Sequence, residues 1–128
     1  MAKVLIADDE QNILISLEFL MKREGYQVVV ARDGQEAVDA VFREQPDLVL
    51  LDAMMPKKTG FEVCQEVRAN PACKKDMIIL MLTAKGRDTD VAKGMALGAN
   101  AYMVKPFSTK ELAQRVRDLL GDLSGKTA

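Results

Sequence analysis

Short apolar runs and longer stretches of helical spacing alternate along the whole chain. Val4, Leu5, Ile6 and Ala7 form a run that stops at Asp8-Asp9. Ile13, Leu14, Leu17, Leu20 and Met21 then recur at helix-face spacing over 13–24, and Gly25 supplies a stop. Residues 26–30 are β-branched and strand-like, Asp33-Gly34 marks a turn, and Ala37, Val38, Val41 and Phe42 make the next helical stripe, which Pro46 ends. Leu48, Val49, Leu50 and Leu51 run up to Asp52, and a loop with Pro56 and Gly60 follows. Residues 61–69 are helical, with Val63, Cys64 and Val67 on one face and Asn70-Pro71 as the close. Six apolar residues, 77–82, end at Thr83. A polar loop leads to a helix over 88–97 with Gly98 as its stop, and a last strand over 101–104 ends at Lys105-Pro106. Ser108-Thr-Lys-Glu111 has the form of a capping box, opening a helix that carries Leu112, Val116, Leu119 and Leu120. Gly121 onward reads as a frayed end.

Strand and helix alternating five times predict a parallel sheet covered on both faces, an α/β fold. The strand runs agree, since they are continuously apolar rather than alternating. Right-handed crossovers bring the carboxyl ends of all the strands to one edge of the sheet. The residues expected there are Asp8 and Asp9 after the first strand, Asp52 after the third, Thr83 after the fourth and Lys105 after the fifth. In open α/β sheets a binding crevice forms outside those ends, where the strand order reverses.

A length of 128 residues fits one domain, and the predicted boundaries are 1–121 for that domain and 122–128 for a tail or the start of a linker. A net charge of -1 with the basic residues scattered gives no field to recruit nucleic acid or an anionic membrane. Cys64 and Cys73 have no metal spacing around them and read as reduced thiols. No apolar run has the length of a membrane span and the N-terminus lacks a signal-peptide pattern, so the chain reads as cytoplasmic. Histidine is absent, which excludes Ser-His-Asp and Cys-His nucleophiles, histidine zinc sites and any role as a phosphohistidine donor. The chemistry must run on carboxylates, hydroxyls and lysine.

Three carboxylates in one crevice repel unless something compensates them. Mg²⁺ takes oxygen ligands and keeps several waters, so two carboxylates and a carbonyl suffice to hold it. With Mg²⁺ and Lys105 present the three acids are neutralised, and the site can admit a phosphate dianion. In that arrangement Asp52 is the nucleophile that becomes an acyl phosphate, Asp9 and Asp52 hold the metal, and Asp8 supports it through water. Lys105 and the Thr83 hydroxyl each serve a phosphoryl oxygen. Each residue also has a bland reading: Asp9 as a helix N-terminal acid, Thr83 as a turn hydroxyl, Lys105 as a solvated lysine. Their joint arrival at one edge is what favours the chemistry.

The sequence resembles the receiver domains of two-component response regulators. The likeness rests on Val-Leu-Ile-Ala-Asp8-Asp9-Glu, Leu-Leu-Asp52-Ala-Met-Met-Pro56 with Gly60 four residues on, Met-Leu-Thr83-Ala84, and Gly98-Ala-Asn-Ala-Tyr102-Met-Val-Lys105-Pro106-Phe107. It implies a flavodoxin-like, three-layer, doubly wound (βα)5 fold with strand order 2-1-3-4-5. It implies Asp52 as phospho-acceptor, Asp8 and Asp9 as the acidic pair, the Met54 backbone carbonyl as a metal ligand and a cis peptide before Pro106. It makes Thr83 and Tyr102 a switch pair and the face formed by 88–97, 101–104 and 108–120 the output surface. The implied partners are a sensor histidine kinase or phosphotransfer protein and an effector or output domain, with no direct nucleic-acid or membrane contact, the protein being a monomer or weak homodimer.

Two departures stand beside the likeness. Asn100-Ala101 precedes Tyr102 where members that dimerise through this face usually carry acids, although Glu111 and Arg115 could belong to such a contact. Met54 and Lys85 occupy the positions two beyond Asp52 and Thr83, and neither orients a water, which implies slow self-hydrolysis. Among other readings, a haloacid-dehalogenase-type hydrolase needs a proton-transferring Asp where Met54 stands. A flavin binder needs a Ser-, Thr- or Gly-rich loop where Asp8-Asp9-Glu10 stands. A receiver-like module that has lost phosphorylation would not be expected to keep the full acidic set.

Overall fold

The structure is a computed structural model and describes residues 2–74, 76–84 and 88–124. The elements follow in the order β1 (Lys3–Ala7), α1 (Gln11–Arg23), β2 (Gln27–Ala31), α2 (Gly34–Glu44), β3 (Leu48–Asp52), α3 (Gly60–Ala69), β4 (Ile78–Ala84), α4 (Asp88–Ala96), β5 (Ala101–Lys105) and α5 (Thr109–Ser124). The strands pair in parallel in the order β2-β1-β3-β4-β5, so β1 and β3 lie side by side where the winding reverses.

The core explains the continuous apolar strands. Leu5, Val49, Leu51, Ile79 and Met81 pack with α2 and α3 on one face of the sheet. Val4, Ile6, Leu48, Leu50, Leu80 and Leu82 pack with α1 and α5 on the other. In β1, β3 and β4 successive residues therefore both meet a helix layer, and a polar residue at either parity would be buried without a partner. α4 joins the first layer but buries only Gly94, which approaches Met81 and Phe61.

Several boundaries differ from the sequence reading, each for a local reason. Asp33 and Gly34 are not a free turn: Asp33 is the N-cap of α2, accepting from the Glu36 N–H at 2.9 Å, and Gly34 is already helical. α3 begins at Gly60, fixed by a complete capping box between Thr59 and Glu62 that the Thr-x-x-Glu spacing could have revealed. At Ser108 the hydroxyl accepts from the Glu111 N–H at 3.0 Å and donates to the Glu111 carboxylate at 3.2 Å. α5 runs on through Ser124 instead of fraying at Gly121. α4 ends at Ala96, with Gly98 at φ 113 as the expected stop. Residues 125–128 of the expected tail, and Lys85 and Gly86, lie outside the described residues. Among the described residues no helix is long and apolar enough to cross a membrane.

Candidate functional site

Strand ends deliver the expected residues to one edge, although three of them sit inside their strands rather than just beyond. Asp52 closes β3, Thr83 is the penultimate residue of β4 and Lys105 closes β5, while Asp8 and Asp9 follow β1. The register places Asp52 opposite Leu82, and Val104 and Lys105 opposite Thr83 and Ala84, so Asp52, Thr83 and Lys105 fall level with three successive positions of β4 at the sheet edge.

The three acids converge. A carboxylate oxygen from each of Asp8, Asp9 and Asp52 lies within 4.8 Å of the others. Asp8 is fully buried and Asp52 nearly so, whereas Asp9 is exposed. One Asp8 oxygen accepts from the Glu10 N–H at 2.9 Å, and the other faces the Lys105 ammonium at 3.1 Å. Lys105 also stands 3.6 Å from Asp52, whose Oδ1 accepts from the Met54 N–H at 3.3 Å. The ammonium is thus shared, with its shorter contact to Asp8. The Met54 backbone lies against the carboxylate cluster, while its side chain points to solvent at 53% exposure and offers no group that could orient a water. The peptide between Lys105 and Pro106 is cis, as the family likeness implied.

The site's electrostatics are unbalanced as they stand. Burial, and then repulsion from Asp8, push the Asp52 carboxyl up to about 6 despite the opposing Lys105 charge and Met54 N–H. Burial works against the Lys105 charge, yet the facing Asp52 and Asp8 carboxylates outweigh it and raise its pKa. The Thr83 hydroxyl is 2% exposed and has no hydrogen-bond partner among the described residues. A buried hydroxyl without a partner costs on the order of 1–3 kcal/mol, so an acceptor delivered to this edge would be welcome. An oxygen-only donor set of three converging carboxylates, short of positive charge, fits a hard divalent cation such as Mg²⁺.

The raised Asp52 value has a consequence for the metal-free protein. Because the folded state holds the proton more tightly than the unfolded chain, this group's contribution to stability falls as pH rises from about 4 through 6. Asp52→Asn is expected to stabilise the chelator-treated protein by about 1–3 kcal/mol at pH 8 and by almost nothing at pH 4. Denaturant unfolding at the two pH values measures this, and an equal effect at both would show that ionisation of Asp52 is not the cause.

Tyr102 is 43% exposed on the edge strand and, with Val104, belongs to the same sheet face as Thr83, two register positions away. Sequence reasoning did not find several close approaches, two beside the site and one at the opposite end of α3. The Cβ-less Gly60 meets the Asp52 carbonyl, and Gly34 meets Lys58. Arg68 reaches from α3 to the Gly98 carbonyl at 3.0 Å and the Asn100 side chain at 2.7 Å. No local pattern encodes such approaches.

Comparison with known proteins follows the same line. The model of the response regulator receiver domain family matches residues 4–117. The structure is similar to that of a Chloroflexus aurantiacus protein described as a response regulator, at 36% identity over 94% of this chain and 98% of that one, with a TM-score of 0.87. It is similar to the chemotaxis protein CheY4 of Vibrio cholerae, at 34% identity over 93% and 98% of the two chains, TM-score 0.86. A third likeness, at 28% identity over 94% and 98% and a TM-score of 0.84, is to the receiver domain of a sensor histidine kinase of Pseudomonas aeruginosa, whose structure has a magnesium ion coordinated in the active-site cleft.

Proposed function

The chain belongs to the response regulator receiver domains, the regulatory modules of two-component signalling, and from that premise we propose that Asp52 is its phospho-acceptor, taking a phosphoryl group from a phosphohistidine on a sensor kinase or phosphotransfer protein. The observation that carries the reading is the convergence of Asp8, Asp9 and Asp52 beside a shared Lys105 ammonium.

In this reading an Asp52 oxygen attacks phosphorus while the P–N bond breaks, its electron pair staying on the donor's imidazole nitrogen. Asp9, Asp52 and the Met54 carbonyl would hold Mg²⁺, with Asp8 behind them through water. When bound, the ion supplies the positive charge that the crowded carboxylates and the incoming phosphoryl oxygens need. Lys105 holds a second phosphoryl oxygen by charge, and Thr83, whose hydroxyl has no partner among the described residues, donates to a third. Lys105 already pairs with Asp8, so it is held in place before the phosphoryl group arrives.

Incubation with Mg²⁺ and acetyl phosphate, followed by intact-mass measurement, tests the proposal. One added phosphoryl group, absent when the ion is chelated, is expected; an unchanged mass with Mg²⁺ present argues for a module that has lost phosphorylation.

The phosphate adds about -1.5 to -2 charge and three acceptor oxygens at the Thr83 edge. Movement of Thr83 toward it would free the space into which the exposed Tyr102 ring turns. The face best suited to respond is α4, β5 and α5, because α4 buries a single residue and Tyr102 and Val104 stand outward on an edge strand. Amide hydrogen exchange is therefore expected to change most at 88–96, 101–105 and 109–120 when a phosphoryl mimic is added. Equal exchange with and without the mimic on that face would remove it as the output surface.

A further inference from the structure

We infer that the turn from β2 into α2, Ala31 to Gly34, is a strut that positions both halves of the acidic site and so sets its affinity for the divalent cation. The inference rests on the metal-binding reading above.

One end of the strut holds the first half. The Asp8 N–H donates to the Ala31 carbonyl at 3.1 Å, fixing the backbone from which the buried carboxylate projects. The other end holds the loop between β3 and α3. The Gly34 N–H donates to the Pro56 carbonyl at 3.2 Å, which also accepts from the Lys58 N–H at 2.8 Å. Asp33, while capping α2, stands 3.4 Å from the Lys57 ammonium. A Cβ at Gly34 would overlap the Lys58 carbonyl and side chain, so only glycine permits this approach.

The loop itself is held under tension. Lys57 adopts φ 69, a left-handed conformation that a non-glycine residue keeps only where its surroundings impose it. On its inner side the same loop is pinned to the site by the Met54 N–H on Asp52 and by the Gly60 N–H on the Ala53 carbonyl at 2.9 Å. Displacing its outer side therefore moves Met54 relative to Asp8 and Asp9. Mg²⁺ demands near-ideal octahedral ligand placement, so a small displacement is felt as lost affinity.

Gly34→Ala tests the strut in the full chain, with Mg²⁺ affinity read by isothermal titration calorimetry. A weakening of about 10- to 100-fold is expected, the range typical of groups that orient metal ligands. Gly121→Ala, where an added methyl meets nothing among the described residues, should leave affinity unchanged. A cooperatively folded Gly34→Ala protein with wild-type affinity would overturn the strut and leave the metal site standing. Should Gly34→Ala not fold, wild-type amide exchange decides the matter by reciprocity. Mg²⁺ should slow exchange of the Gly34 and Lys58 amides several-fold more than that of the Asn70 amide at the far end of α3, and equal slowing would overturn the inference. A wild-type chain that binds no Mg²⁺ takes down the metal site and the strut together.

Discussion

Asp52→Asn is expected to abolish phosphoryl uptake from acetyl phosphate, a fall of about three orders of magnitude or more, while the fold persists. The amide is isosteric with the carboxyl and can still accept from the Met54 N–H, so local geometry is kept. What disappears is the anionic oxygen that forms the new bond to phosphorus. The neighbouring carboxylates are poor substitutes. Asp8 is fully buried and committed to the Glu10 N–H and Lys105, and Asp9 follows β1 rather than ending the central strand. Mass spectrometry of the variant after long incubation with Mg²⁺ and acetyl phosphate should show no added phosphoryl group. Uptake at the wild-type rate would mean that another residue is the acceptor, and the reading of the site would fail at its centre.

The second large effect concerns stability. Gly60→Ala should cost about 3 kcal/mol, at the upper end of what overpacking a close contact costs. A Cβ there would overlap the Asp52 carbonyl oxygen and stand 2.9 Å from the Ala53 Cα, both of them backbone atoms of the central strand and its extension. Those atoms cannot yield cheaply. The Ala53 N–H is bonded to the Leu82 carbonyl at 2.9 Å and the Ala53 carbonyl to the Gly60 N–H at 2.9 Å. Alanine's better helix propensity returns at most about 1 kcal/mol, too little to offset the clash. Denaturant unfolding should register the loss, with phosphoryl uptake slowed as well, because the residue pushed aside is Asp52. A loss well below 1 kcal/mol would show that the loop accommodates the methyl by shifting as a unit.

Much of this site was readable before any coordinates. The four motif segments lie where apolar runs stop, and a strand that stops at an acid places that acid on the edge. The strand limits came out a residue or two off at Thr83 and Lys105, because backbone pairing continues past the last apolar side chain. Thr59 and Glu62 had a legible capping pattern that the Pro56–Gly60 loop signal hid. Arg68, by contrast, reads as an ordinary residue in the last turn of a helix, and nothing local says that it reaches Gly98 and Asn100.

The order and type of the elements, the doubly covered parallel sheet and the collection of Asp8, Asp9, Asp52, Thr83 and Lys105 at one edge were determined by the sequence alone. These follow from periodicity and from the need to bury every continuous apolar run on two sides. Only the tertiary structure decided that Lys105 sits closer to Asp8 than to Asp52, that the Thr83 hydroxyl has no partner among the described residues, and that Gly34 and Gly60 are close-approach points. None of these follows from a local preference: they depend on how the strands, helices and loops pack, most plainly for Lys105 and Asp8, which are 97 residues apart in the chain.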